Sequence, residues 1–453
     1  RSMGGAVLCY ELRTGKLVWE LATPGDWSSH FGVCSSPVVE DGRAYVVGAL
    51  GSVLCLDMDG MADGNDGPFT DEATYFGFVN PKEDEPGEVP KMKPTYGDII
   101  WRYDMPRELG IRMHDAYSGT ILVDGDMLWV NTAHGFGMDY KVSERVSGHA
   151  PNHNGRQKLG KKPNMLVLDK QTGKLLAKDD LEIPEVYHGQ WSGPAMGVVD
   201  GRKLVFWGDG YGVLHAFAAP EPGVDHVQAL EEVWRFDCNP PEYRRKDGEL
   251  IPYVIGHPPK DVDPEEEQRF QEKWRDVVPR RGPSEIIATP VFHDGDVFVA
   301  IGRDHNYNFR HKYGEGMLWR IDAPGRGDIT GTGEVWRYPL NRSLCTVSIQ
   351  DGLLYTADTT GKVTCLDVAT GAVVWAHETD QVIWAASPVL ADGKLYVPAG
   401  RKFVVMAAGP EPRVLSEMRL DDEAATPAFA DGVIVIPTQR SISVYSHKAN
   451  QNE

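Results

Sequence analysis

Residues 361–400 read GKVTCLDVATGAVVWAHETDQVIWAASPVLADGKLYVPAG, and this stretch decides the fold. It contains a short segment ending in Leu-Asp, a Thr-Gly turn, and a second segment that carries Trp375. After a linking loop, Ser387-Pro388 opens a third segment, which an Asp392-Gly393 turn connects to a fourth. Each segment is about five residues long and rich in β-branched and aromatic residues, which favour strands. Gly-containing turns fold a chain back into an antiparallel neighbour, so the stretch predicts a four-stranded sheet.

The same pattern recurs along the whole chain. Its Asp-Gly turn returns at Asp41-Gly42, Asp124-Gly125, Asp200-Gly201, Asp294-Gly295, Asp351-Gly352 and Asp431-Gly432. A small residue opens each copy, namely Ser36, Ser118, Gly193, Thr289, Thr346, Ser387 and Thr426. The last three turns lie about 40 residues apart, which is typical of propeller blades. One such sheet cannot bury both of its faces alone, so the repeats predict an all-β fold, a β-propeller of four-stranded antiparallel blades.

The order of the repeats gives a blade count and a domain organisation. The chain begins with the second half of a blade, continues with six complete units, and ends with a unit of three strands. We therefore expect eight blades in the intact ring, with the first blade incomplete in this sequence, which contains no recognisable signal peptide. A single domain, 1–453, accommodates this ring, with insertions at about 58–97, 136–163, 238–284 and 304–316.

Composition excludes several classes of partner. The formal net charge of −20 disfavours binding to nucleic acid and to anionic membrane surfaces. No apolar run approaches membrane-spanning length. The six cysteines show no metal-type spacing, and Cys9, Cys55 and Cys365 share one repeat position, where small buried hydrophobic residues are expected. We expect a monomer whose partner is a protein or a small-molecule ligand.

An acidic segment interrupts the early part of the chain, on the face that carries the Asp-Gly turns. It offers hard oxygen ligands of the kind that calcium prefers, at Asp59, Asp63, Asn65, Asp66, Asp71 and Glu72. Their spacing does not match the EF-hand consensus. The segment therefore has two interpretations, a calcium site or a solvated acidic loop.

The opposite face collects the connections from the fourth strand of each blade to the first strand of the next. Polar and aromatic residues stand in these connections just before the innermost strands. The candidate ligand-binding residues are His30, Gln190, Trp191, Arg342 and Trp384, and the candidate catalytic residues are His114, Asp115, His188 and Glu285. If they converge on one funnel, they form a concave, aromatic-bearing site. The alternative is a polar mouth without a ligand, because loops there face water in any propeller.

The repeat resembles that of pyrroloquinoline quinone (PQQ) proteins. The pattern CLDxxTGxxxW…SSPVxxDGxLYV, seen in residues 363–397 and 33–46, carries the resemblance across most of the chain. In quinoprotein alcohol dehydrogenases such a propeller holds PQQ and calcium on its axis. The resemblance would make Trp191 or Trp384 the floor, Glu285 a calcium ligand and Asp115 the base. In outer-membrane assembly lipoproteins related to BamB, the same fold binds proteins and no cofactor.

Two features separate this chain from the dehydrogenases. It has no adjacent cysteine pair of the kind that many of them place beside the quinone, and no CxxCH haem segment. The resemblance therefore favours a secreted or periplasmic binding or scaffolding module that is not an enzyme. Calcium is a candidate cofactor in this interpretation, and PQQ is not favoured. The alternative is a quinoprotein-like oxidoreductase that uses the axial funnel.

Overall fold

The computed structural model describes residues 4–25, 32–77, 91–111, 113, 117–135, 161–183, 190–251, 265, 268–269, 272, 284–302, 315–384 and 386–446. Within these ranges most of the regular structure is β-strand, arranged in small antiparallel sheets that follow one another along the chain. The predicted all-β propeller is confirmed.

Sequence-adjacent strands pair in every blade. The first two strands, β1 (Gly5–Tyr10) and β2 (Leu17–Thr23), form a two-stranded sheet. The next sheet has four strands in sequence order, β3 (Val38–Glu40), β4 (Arg43–Val47), β5 (Ser52–Asp57) and β6 (Ile99–Asp104). Between β3 and β4, Asp41 and Gly42 have φ angles of 51° and 74°. A two-residue hairpin of type I′ requires positive φ at both positions, which explains the Asp-Gly repeat.

Five further four-stranded sheets and one three-stranded sheet follow. The four-stranded sheets comprise β7 (Leu122–Asp124), β8 (Met127–Asn131), β9 (Met165–Asp169) and β10 (Leu175–Lys178); β11 (Ala195–Val199), β12 (Arg202–Gly208), β13 (Val213–Ala218) and β15 (Glu232–Asp237); β18 (Val291–His293), β19 (Asp296–Gly302), β20 (Glu315–Asp322) and β22 (Glu334–Asn341); β23 (Ser348–Gln350), β24 (Leu353–Ala357), β25 (Lys362–Asp367) and β26 (Val373–Glu378); and β27 (Val389–Ala391), β28 (Lys394–Ala399), β29 (Lys402–Ala407) and β30 (Val414–Arg419). The three-stranded sheet comprises β31 (Ala428–Ala430), β32 (Val433–Pro437) and β33 (Ile442–Ser446).

Short elements decorate this framework. β14 (Gln228–Ala229) pairs in parallel with β10, β21 (Gly327–Asp328) pairs in parallel with β15, and β16 (Arg245–Lys246) forms a hairpin with β17 (Glu249–Leu250). The helices α1 (Glu72–Gly77), α2 (Met105–Leu109) and α3 (Pro241–Arg244) are each six residues or shorter. Among the residues the structure describes, no helix is long and apolar enough to cross a membrane.

The structure shows seven blades, not the eight expected, together with the β1–β2 sheet. That sheet packs against the β3–β6 blade through Val7, Trp19 and Leu21, which share a core with Leu54. It is therefore placed like the outer half of a blade. Within the described residues no inner strand pairs with β1, so this sheet does not make an eighth complete blade.

Hydroxyl groups join the innermost strands of four consecutive blades, from the β18–β22 blade to the β31–β33 blade. The amide of Thr289 donates to Thr346 Oγ1 at 3.1 Å, the amide of Thr346 donates to Ser387 Oγ at 3.0 Å, and the amide of Ser387 donates to Thr426 Oγ1 at 3.0 Å. The small residues that open these four repeats therefore link one blade to the next. In the β7–β10 blade the equivalent residue is Thr120, which bridges to Ser36, rather than the expected Ser118.

Tryptophans on the outer strands seal the blade interfaces. Each indole Nε1 donates to a backbone carbonyl that follows the third strand of the next blade. The pairs, with their distances, are Trp19 to Met58 O (2.8 Å), Trp101 to Lys170 O (3.2 Å), Trp234 to Ala323 O (2.7 Å), Trp336 to Val368 O (2.9 Å) and Trp375 to Gly409 O (2.9 Å). The Trp of the repeat is thus an inter-blade fastener.

The cysteines at the shared repeat position are structural. Cys55 and Cys365 are buried, as expected, whereas Cys9 is only partly buried. Burial raises the pKa of the Cys55 and Cys365 thiols to about 12, so both stay protonated and unreactive at neutral pH.

Candidate functional site

The predicted funnel residues fall into two groups. Four of them, His30, His114, Asp115 and His188, lie outside the described residues. The other five are Gln190, Trp191, Glu285, Arg342 and Trp384, and all of them stand in connections that lead to a first strand. The convergence of all nine on one axis remains a prediction, and the contacts below are those of the second group.

Arg342 and Trp384 come from consecutive blades and meet. Arg342 follows β22 and Trp384 precedes β27, and the Arg342 guanidinium carbon lies 4.4 Å from the centroid of the Trp384 ring. Arg342 is 2% exposed whereas Trp384 is 41% exposed. The buried guanidinium therefore contacts the exposed indole in a cation–π interaction. The pair forms an exposed aromatic platform backed by a fixed positive charge.

The side chain and the backbone of Gln190 make hydrogen bonds within the protein. Its side-chain Nε2 donates to the backbone carbonyl of His134 at 3.0 Å and to Asn164 Oδ1 at 2.6 Å. Its backbone carbonyl accepts from Asn131 Nδ2 at 2.8 Å. These bonds tie the connection before β11 to the connection between β8 and β9. The buried amide thus holds two loops of neighbouring blades together.

Trp191 and Glu285 are also enclosed by protein. Trp191 is half-buried and packs against the core cluster that contains Tyr117 and Ile121. Glu285 is 1% exposed, and its neighbour Ser284 exchanges hydrogen bonds with Asn239. The metal-type clusters found among the described residues do not include Glu285. Of the predicted funnel residues that are described, Trp384 is the one most available to a ligand.

The structure contains a buried charged cluster around His215 that was not predicted from the sequence. His215, in β13, lies with Nδ1 2.6 Å from Glu232 Oε1 and Nε2 3.2 Å from Asp209 Oδ2, and its ring stacks on Trp207 and Phe217. Burial alone lowers the pKa of His215, but hydrogen bonds to Asp209 and then Glu232 outweigh it and raise the pKa to about 9. The imidazolium is sealed between two rings. The burial of His215 indicates a structural role. The signal for this cluster in the sequence is a single polar residue, His215, in the middle of an otherwise apolar strand.

The acidic segment places some, but not all, of the predicted ligands together. Two groups of carboxylates have ligand atoms within 4.8 Å of one another, one formed by Asp57, Asp66 and Asp98 and the other by Asp57, Asp59 and Asp63. Asp57 and Asp98 were not predicted. They were missed because Asp57 belongs to the repeated Leu-Asp pair and Asp98 is 32 residues beyond Asp66.

The remaining predicted ligands, Asn65, Asp71 and Glu72, take part in hydrogen bonds within the segment, Asp71 through its backbone. Glu72 is 1% exposed and accepts from Asn65 Nδ2 at 2.9 Å and from the amide of Ile99 at 3.3 Å. The backbone carbonyl of Asp71 accepts from the amide and hydroxyl of Thr74 in the first turn of α1. These contacts organise the loop around the carboxylates.

Asp98 is a buried carboxylate with other carboxylates around it. Burial, reinforced by the charges of Glu72, Asp57 and Asp66, raises the pKa of Asp98 to about 6, although a hydrogen bond from the Asp66 amide opposes the shift. Like charges have been gathered around a desolvated carboxylate. Such an arrangement favours either a proton or a cation.

A surface groove of about 440 Å³ lies beside one of the Asp-Gly turns. It is lined by Val199, Asp200, Arg202, Leu204, Val233, Ala323, Pro324, Gly325 and Arg326. Asp200 belongs to an Asp-Gly turn, so the groove is on the turn face. None of the predicted site residues lines it.

Known proteins share this fold. Residues 316–409 match the family model described as outer membrane protein assembly factor BamB. Among solved structures, BamB from Moraxella catarrhalis superposes with a TM-score of 0.55 and 13% identity, over 98% of this chain and 91% of that chain. A computationally designed protein, Ika8, gives a TM-score of 0.51 and 11% identity over 98% and 91% of the two chains. The resemblance to PQQ-repeat propellers is confirmed at the level of the fold.

A redox enzyme also shares the fold. A quinohemoprotein alcohol dehydrogenase from Pseudomonas putida gives a TM-score of 0.50 and 13% identity, over 98% of this chain and 67% of that chain. No curated protein matches the chain by sequence. At these identities the likenesses describe the fold and do not separate a scaffold from an oxidoreductase.

Proposed function

We propose that this chain is a binding or scaffolding propeller that acts in the periplasm or outside the cell, and that it holds a protein partner on the face opposite the Asp-Gly turns. The observation that carries the proposal is the platform of Trp384 on Arg342, 4.4 Å apart. Exposed Trp and fixed Arg residues are the side chains most often found at the energetic centre of protein interfaces. A polar partner edge can stack on the indole while its carboxylates are attracted by the guanidinium.

Enclosure of the other described candidates supports binding rather than catalysis. Gln190 and Glu285 are buried, and Trp191 packs against the core, so these three residues brace the loops. The fold shared with a protein described as an assembly factor also favours a protein partner and an extracytoplasmic location.

Site-specific photo-cross-linking in the cell envelope of the source organism tests the proposal. A photoreactive p-benzoylphenylalanine replaces Trp384 in one variant and Asp392, on the turn face, in the matched control. We expect a discrete protein adduct from position 384 and none from position 392. Adducts of equal yield at both positions, or none at either, would contradict the assigned face.

The oxidoreductase alternative has its own test. Purified protein is incubated with PQQ and Ca²⁺, and the quinone absorbance and dye-linked alcohol oxidation are measured after unbound PQQ has been removed. We expect neither retained absorbance nor turnover. Stoichiometric retention of PQQ with alcohol-dependent dye reduction would replace the binding function by a catalytic one.

A further inference from the structure

Three carboxylates converge at the outer edge of the β3–β6 blade. Asp57 is the last residue of β5, Asp66 lies in the loop that follows, and Asp98 immediately precedes β6. Their ligand atoms all lie within 4.8 Å of one another. Two oxygens that each lie about 2.4 Å from one calcium ion are at most about 4.8 Å apart. The spacing therefore allows one ion to contact all three.

Asp98 supplies an independent reason to expect a cation. The residue is 0% exposed, and its Oδ2 accepts the amide of Asp66 at 2.8 Å. Its other oxygen, Oδ1, is buried and has no hydrogen-bond partner. A buried carboxylate oxygen without a partner is costly, and such groups in proteins are normally paired or bound to a metal.

The loop that carries Asp66 is held against the sheet. The amide of Asp57 donates to the carbonyl of Asp98 at 3.1 Å, so the two ends of the insertion are fixed beside each other. Gly67 has a φ of 81°, and a Cβ there would come within 2.5 Å of the Ile100 carbonyl. Only glycine permits this close approach. The third carboxylate is thus positioned before any ion arrives.

We propose that Asp57, Asp66 and Asp98 bind one calcium ion that fixes the 58–71 loop on the turn face of the propeller. The site differs from the predicted set, with which it shares only Asp66. The competing group of Asp57, Asp59 and Asp63 contains no fully buried carboxylate and no oxygen known to lack a hydrogen-bond partner. A calcium ion here is remote from the proposed partner platform and serves the framework.

Calorimetric titration of the full chain, stripped with a chelator, tests the site. We expect Ca²⁺ to bind with one-to-one stoichiometry, and the melting temperature to rise by about 3 °C at a hundredfold excess over Kd. Asp66→Asn removes an exposed ligand and should weaken binding at least tenfold. Asp98→Asn should abolish binding while its melting temperature without calcium equals or exceeds that of the parent chain.

Asp63→Asn is the matched control, because it removes a carboxylate of the same loop that the proposed site does not use. Its Kd for Ca²⁺ should equal that of the parent chain. The proposal is overturned if the parent chain shows no binding heat with Ca²⁺ at about millimolar concentration, or binds Mg²⁺ more tightly than Ca²⁺. It is equally overturned if Asp63→Asn loses binding while Asp66→Asn retains it. Because Asp66 is exposed, its variant remains informative even where Asp98→Asn does not fold.

Discussion

The indole of Trp336 lies directly against Gly371 of the following blade, where a Cβ would come within 2.8 Å of Trp336 Cδ2. The same residue pair recurs between earlier blades, since a Cβ on Gly173 would come within 2.4 Å of Trp101 Cε3. Glycine is therefore required in the Thr-Gly turn of the repeat for two reasons. Gly371 adopts a φ of 71°, and it also makes room for the tryptophan of its neighbour.

This relationship predicts that two glycines of one blade differ in their tolerance of alanine. Gly352 has a φ of 75° and nothing near its missing Cβ, so Gly352→Ala should cost about 1–2 kcal/mol for the left-handed backbone alone. Gly371→Ala should cost roughly 1–3 kcal/mol more, because the methyl group displaces Trp336. Denaturant unfolding of both variants measures the difference. Equal losses of unfolding free energy in the two variants would show that the Trp336 indole moves aside at no energetic cost.

The hydroxyl bonds between innermost strands predict a specific effect at Thr346. Its Oγ1 accepts the amide of Thr289 at 3.1 Å. Thr346→Val keeps the shape but leaves that amide without its acceptor, which should cost about 1–3 kcal/mol, whereas Thr346→Ser should cost much less. Hydrogen exchange measured by mass spectrometry should be faster around residue 289 in the valine variant only. Unchanged hydrogen exchange in both variants would show that the bond between Thr289 and Thr346 does not stabilise the fold.

His215 predicts a loss of stability in alkaline solution. The folded pKa of about 9 lies above the ordinary value of about 6.5, so the stabilisation is complete below pH 6.5 and is lost as pH rises through 9. The shift corresponds to about 3 kcal/mol. Unfolding free energies between pH 6 and 10 should therefore fall in the parent chain and be flatter in His215→Gln.

An exposed histidine provides the control for that measurement. His226→Gln removes an imidazole from the surface, and its pH profile should run parallel to that of the parent chain. If His215→Gln also runs parallel to the parent, the cluster with Asp209 and Glu232 does not hold a charged imidazole.

The platform predicts that binding and stability separate at Trp384. Trp384→Ala should abolish the partner adduct, detected from a photoreactive group at a neighbouring exposed position such as Val382, while the unfolding free energy falls by no more than about 1 kcal/mol, because the indole is 41% exposed. Arg342→Ala should cost more, since that side chain is 2% exposed. If Trp384→Ala retains the adduct, the platform is not part of the interface.

Local patterns predicted the blades well because they depend on short-range backbone geometry. The Asp-Gly pairs at 41–42 and 351–352 adopt the positive φ angles that a two-residue hairpin needs, and that need is visible in any single repeat. The displaced register at Thr120 was missed, because Ser118 offers an equally small residue two positions earlier. Only the neighbouring blade distinguishes the two.

Contacts between blades and across insertions were beyond the sequence pattern. Asp98 pairs with Asp66 only after the 58–97 insertion has folded back, and nothing local to Asp98 signals a ligand. Gln190 and Trp191 looked like funnel residues because their loops face water. The structure instead engages them in a hydrogen-bond network and a core that assemble from two blades.

The inter-blade bonds of the repeated tryptophans and of the small residues that open the repeats all point the same way around the axis. Trp101, Trp234, Trp336 and Trp375 donate forward, from each blade to its successor, and the amides of Thr289, Thr346 and Ser387 do the same. The junctions that follow the β18–β22 and β23–β26 blades each contain both kinds of bond, one from a tryptophan and one to a hydroxyl group. Each junction involves only two adjacent blades. The chemistry of the joint therefore does not by itself set the number of blades in the ring.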